Sequence, residues 1–112
     1  MREIKFRAWN ASRMVFCGKG GHGDFIIDQG EVVEYGEFSK NDSSVRYWPL
    51  MQYTGLLDAD NKDIYEGDLI HLYGYGQYQA EYPFIELFYA AAENDIGSIL
   101  GNIYENPELL EN

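Results

Sequence analysis

Between Leu50 and Tyr73 the chain reads LMQYTGLLDADNKDIYEGDLIHLY, and the punctuation of this stretch leaves it few ways to fold. Runs of apolar and β-prone residues are broken at DADN and again at EGD. Asp60 and Asn61 tolerate positive φ better than most non-glycine residues, so a two-residue reversal is expected to be centred on them. Strands LMQYTGL and DIYEGDLIHLY would flank it. Gly67 marks a second tight turn, followed by a strand on which Leu69, His71 and Tyr73 face away from Ile70 and Leu72. Strand, tight turn, strand is the signature of consecutive antiparallel pairing.

The rest of the chain fits the same class. EIKFRAW, residues 3–9, alternates cleanly. Ile4, Phe6 and Ala8 lie on one face and Glu3, Lys5, Arg7 and Trp9 on the other, the pattern of a half-buried strand with a solvated outer face. RMVFC, residues 13–17, reads as its hairpin partner across NAS, and DFIID and EVVEYGEF follow as short strands. SKNDSS, residues 39–44, has no apolar side chain and is the candidate linker. Two regions are therefore expected, 1–44 and 45–112, or else one domain with a shared core. Pro49 cannot donate to a ladder and implies an edge or a bulge. GYGQYQAEY suits a hairpin tip. PFIELFYAAAEND alternates loosely like a strand, yet Ile85, Phe88, Tyr89 and Ala92 keep helical spacing and the Ala run favours a short helix starting near Pro83. IGSILGNIY reads as a strand, and NPELLE as a terminal helix with an Asn cap and Pro at its first position. The abundance of Tyr (10), Phe (6) and Gly (12) also favours strands and turns. The fold class expected is mainly β, a β-rich α+β chain of antiparallel hairpins with one or two short helices near the C-terminus.

Several stretches imitate reactive or ligand-binding motifs and fail on inspection. DADNKD opens like a calcium loop, which needs oxygen ligands at positions 1, 3 and 5, Gly at 6 and Glu at 12. Here Lys62, Asp63 and Leu69 fall at the last three. Gly18, Gly20 and Gly23 satisfy G-x-G-x-x-G, but a strand-like DFIIDQGEVVEY follows where a dinucleotide site requires a helix. His22 and His71 are the two histidines, neither with the helical partner of a metalloprotease, and His22 with Asp24 is a weak metal pair. Cys17, the single cysteine, lies in an apolar strand where a buried, inert thiol is the default and cannot form an internal disulfide. No catalytic residue, metal site or cofactor is expected.

Charge divides the chain sharply. The net charge is −11. All eight Lys and Arg lie in residues 1–62 against nine acids, whereas residues 63–112 hold ten acids and no Lys or Arg. Phosphate backbones are repelled by such a half-chain, which argues against direct nucleic-acid binding. The acidic surface serves solubility, or is offered to a basic partner as a nucleic-acid mimic would offer it. No apolar run approaches the ~20 residues that span a bilayer, and the N-terminus lacks the apolar core of a signal peptide. A cytoplasmic protein is expected, with no membrane partner. Aromatic residues too numerous to bury in so small a chain, together with sheet edges, point to protein contact: self-association or a protein partner.

Three stretches carry a family resemblance. MREIKFRAW at the start, LMQYTGLLDADNKDIYEGDLI at 50–70 and GNIYENPELLE at 101–111 together resemble the YopX family of small phage and prophage proteins. That family usually has Asn-Gly at the middle turn, where this chain has Asp60-Asn61, and residues 71–100 depart from it most. The resemblance implies a mainly β protein with a C-terminal SH3-like β-roll, encoded by a phage or prophage and acting in the bacterial host cytoplasm, and brings no established activity. Its motif positions are candidates for interaction or structure. Tyr53, Thr54 and Gly55 would pair across the hairpin with Tyr65, Glu66, Gly67 and Asp68, and Asn102, Tyr104, Asn106 and Pro107 would pack nearby. Turn chemistry and core closure are the simpler roles for all eleven.

Overall fold

Consecutive strands pair as antiparallel hairpins in a computed structural model, which describes residues 5–9, 12–17, 25–28, 31–34 and 49–110. The glycine loop with His22 and the candidate linker at 39–44 lie outside the described residues. The chain is mainly β and antiparallel, and it divides into two compact units, Glu3–Gln52 and Tyr53–Asn112. That boundary falls inside a strand.

In the first unit β1 (Phe6–Trp9) pairs with β2 (Met14–Cys17), Phe6 opposite Cys17 and Trp9 opposite Met14. Its other edge takes the start of β5 (Leu50–Leu57), with Arg7 opposite Met51. Ala8 and Val15 face each other and are fully buried. Pro49 stands just before β5, where it needs no N–H, and its carbonyl accepts from the Trp9 N–H at 3.1 Å. β3 (Phe25–Asp28) and β4 (Glu31–Glu34) form a separate hairpin. One expectation fails here. Arg7, assigned to a solvated face, is buried, and its Nε donates to the Met51 sulfur at 3.4 Å. As a central-strand residue it lies between its cross-strand neighbours Phe16 and Met51, a position where a long side chain is flanked on both sides. Cys17 is half-buried rather than enclosed.

The second unit takes the remainder of β5, which pairs with β6 (Asp63–Tyr65). Tyr53 pairs with Tyr65 and Leu57 with Asp63, so β5 carries two more residues than its partner between these points. The excess forms a bulge at Thr54-Gly55, with Gly55 at φ 90°. Thr54 is fully buried there, its hydroxyl donating to the Ile64 carbonyl at 2.8 Å and accepting from the Leu56 N–H at 3.2 Å. One side chain thus replaces ladder bonds that the bulge removes. After the Gly67 turn, β7 (Asp68–Leu72) is the middle strand of a three-stranded sheet between β8 (Gly76–Gln79) and β9 (Ile96–Asn102).

The helix foreseen near Pro83 is α1 (Ile85–Ala92). Its cap residue Phe84 has φ 64° and no capping side chain, a conformation costing about 1–2 kcal/mol in a bulky residue. Burial of the Phe84 ring offsets it. Phe84 joins Ile64, Ile70, Leu72, Tyr78, Ala80, Leu87 and Ala90 in the core, with Leu56, Ile96 and Ile99 packed around them. A 3-10 helix, Pro107–Leu110, ends the described chain. The expected Asn106 side-chain cap is corrected: its Oδ1 turns back to accept from the Asn102 N–H at 3.2 Å. Gly101 makes room for this, since a Cβ there would collide with the Asn106 amide.

Candidate functional site

The loop that resembled a calcium site is built by backbone amides. Asp58 opens the turn: the Asn61 N–H donates to the Asp58 carbonyl at 3.0 Å, which centres the reversal on Ala59-Asp60, one residue earlier than the expected Asp60-Asn61. Asn61 then takes the left-handed position at φ 65°. The buried Asp58 carboxylate accepts from the N–H groups of Asp60 (2.8 Å), Lys62 (2.9 Å) and, across to β9, Ile99 (2.9 Å). Burial raises its pKa, yet these three donors and the nearby Lys62 charge outweigh burial and hold it below its ordinary value. A carboxylate filled by N–H donors has little left to offer a cation. The Ala59 N–H donates to the Gly97 carbonyl and the Ser98 hydroxyl to Asp60 Oδ2, so the same loop covers the outer edge of β9.

The family-motif positions converge on a second turn. The Tyr65 N–H donates to buried Asp68 Oδ2 at 2.8 Å, bridging Glu66 and Gly67, and Gly67 has φ 89°. The Gly67 N–H donates to the Ala80 carbonyl and its own carbonyl accepts from the Ile103 N–H. Asp68 pairs in register with Asn102. Asn102 Oδ1 accepts from the N–H groups of Tyr104 (3.0 Å) and Glu105 (2.8 Å), folding the chain toward Asn106 and the exposed Pro107. The rings of Tyr53 and Tyr65 lie 5.6 Å apart on the bulged hairpin. Thr54, Gly67, Asp68 and Asn102 are all buried, so what these positions share is backbone closure, with Glu66, Tyr104 and Asn106 only partly exposed.

Solvent instead meets a surface that the motif does not include. Ile85, Phe88, Tyr89 and Ala92, the helical stripe legible in the sequence, point outward, with Tyr89 72% exposed and Ile85 54%. Leu87 and Ala90 face the core. The stripe lines a shallow apolar depression. Ile85 also borders a cleft of about 260 Å³ formed with Tyr78, Gln79, Glu81, Tyr82, Pro83 and Glu86. There the Tyr78 hydroxyl is held up in pKa, first by burial and then by the Glu86 charge. The Tyr82 ring meets buried Phe84 edge-on, centroids 5.8 Å apart. Tyr73, Tyr75 and Leu100 are also exposed. Among the described residues no group of three His, Cys, Asp or Glu side chains is arranged to hold a metal ion. Nor, among them, is any helix long and apolar enough to cross a membrane.

Fold and surface together define a small antiparallel β protein of two units, its second unit closed by Asx turns and bearing one outward apolar helix. Residues 5–111 match the model of the family described as YopX protein, and the chain belongs to that family. Its fold is similar to that of the crystal structure of protein EF1440 from Enterococcus faecalis, with 24% identity, a TM-score of 0.62, and 99% of this chain and 100% of that one covered. No curated protein matches the sequence.

Proposed function

We propose that this chain is a phage- or prophage-encoded accessory protein of the bacterial cytoplasm that catalyses no reaction and acts by binding protein, a copy of itself or another chain. One observation carries the reading: large apolar side chains that the small core cannot take are gathered on the second unit, with Tyr82, Ile85, Phe88 and Tyr89 all exposed within eight residues of sequence. Clusters of this kind on a soluble surface are the usual mark of a contact site. The phage setting rests on family membership. Sedimentation from micromolar to hundreds of micromolar, with affinity capture on the immobilised chain, tests the proposal. Concentration-dependent mass, or a captured protein lost on replacing Phe88 and Tyr89 by Ser, is expected; a strict monomer that captures nothing would overturn it.

A second reading, an acidic mimic that blocks a nucleic-acid-binding protein, is favoured by the single sign of charge over residues 63–112. Asp68 is unavailable to a surface row of carboxylates, being buried against the Tyr65 amide. Under this reading the captured proteins are basic and are released by added duplex DNA. Capture that is indifferent to DNA sinks it.

A further inference from the structure

The apolar stripe of α1 and the cleft beside it meet at Ile85, which lines both. The cleft is acidic and aromatic. Glu81 and Glu86 both line it, Glu86 beside the Tyr78 hydroxyl, and the Tyr82 ring is braced by the buried Phe84. Carboxylates beside aromatic faces form the environment that favours an ammonium or guanidinium group. Residues 63–112, which include the whole lining of the cleft, contain no Lys or Arg.

We infer that this face binds a segment of another protein in which a Lys or Arg stands beside apolar side chains. The cation enters between Tyr78, Glu81, Tyr82 and Glu86, and the apolar groups lie along Ile85, Phe88, Tyr89 and Ala92. The inference rests on the protein-binding reading above and names the occupant of one surface. A second copy docking through the same face fits poorly. Two-fold pairing would set Glu81, Glu86 and Glu93 against the acids of the other copy. An eight-residue helix is also only about 12 Å long and falls well short of the ~800 Å² per partner of a stable assembly. A short segment anchored by one cation and a few apolar side chains needs far less area.

Selection of random displayed peptides on the full-length chain tests this, followed by binding of synthetic representatives to the wild type and to two variants, Glu81→Gln/Glu86→Gln and Phe88→Ser/Tyr89→Ser. All four positions are exposed, and circular dichroism checks that each variant keeps its fold. The expected winners carry Lys or Arg next to aliphatic or aromatic residues, weaken as NaCl is raised, and lose about tenfold in affinity for each variant. No enrichment, winners without a basic residue, or equal affinity for the variants would overturn the assignment. Protein binding as such would still be judged by sedimentation and capture. A dimer of the unliganded chain dispersed by Glu81→Gln/Glu86→Gln would make a second copy the occupant, and would overturn it too.

Discussion

At Asp58 a single carboxylate joins a hairpin turn to a strand 41 residues further on, and its ionisation is part of the fold. Replacing it by Asn puts an amide NH₂ where an acceptor is needed and leaves a buried backbone N–H unmatched. The expected cost is about 2–3 kcal/mol near neutral pH, by urea unfolding. The pH dependence has a definite sign. The folded pKa is depressed, so the stabilisation is present above the unfolded value and is lost as pH falls through the folded one. The gap between wild type and Asp58→Asn should therefore be full at pH 6–7 and narrow below about pH 4. A gap independent of pH would mean that charge is not what the three amides bind. Next to it, Asn61 tests the turn. At φ 65° Asn61→Ala should cost about 1 kcal/mol, while Asn61→Gly should be neutral or slightly stabilising. Equal stability of the two variants would refute a left-handed Asn61 in solution.

Among the elements, α1 shows what a sequence discloses and what it withholds. The Ala run and the spacing of Ile85, Phe88, Tyr89 and Ala92 correctly announced a helix where strand alternation was also legible. Periodicity names a face without saying which way it turns, and here the richer face looks outward because Phe84, Leu87 and Ala90 already fill the space over β7 and β8. Leu87→Ala should thus destabilise the protein by about 2–5 kcal/mol and Phe88→Ala by no more than about 0.5 kcal/mol, read from thermal or urea midpoints. The reverse order would place the stripe inside. The hairpins were legible because turn formers sit beside alternating strands: β1 with β2, β5 with β6, and the Gly67 turn. The turn centre was misplaced by one residue because Asp58 is held by an Ile99 amide that local pattern cannot reveal. The Arg7 expectation failed for the same reason, since Met51 lies 44 residues away and reaches it only through the fold, whereas Asn106 is held by a local turn in which its side chain reaches back four residues to the Asn102 amide. The acid-lined cleft was legible only as composition: Glu81 and Glu86 are two acids among ten until α1 brings Glu86 to the Tyr78 hydroxyl.

Over the whole molecule the dominant long-range term is charge of one sign. A net charge of −11 on 112 residues opposes compaction, and the ten acids of residues 63–112 have no Lys or Arg among them to offset it. Local devices such as the Asp58 turn are screened little, because their partners are in direct contact and shielded from solvent. Repulsion among exposed carboxylates, by contrast, extends about 30 Å at 0.01 M salt and only about 10 Å at 0.1 M. Stability should accordingly rise with NaCl over that range at neutral pH, and Glu81→Gln/Glu86→Gln should be at least as stable as the wild type at low salt, the difference shrinking as salt is added. Urea midpoints in a salt series decide the matter. A fall in stability with salt would show that attraction to the eight Lys and Arg of residues 1–62 outweighs repulsion among the acids. The expected rise, together with salt-weakened peptide binding, would mean that the same carboxylates strain the isolated chain and recruit its partner.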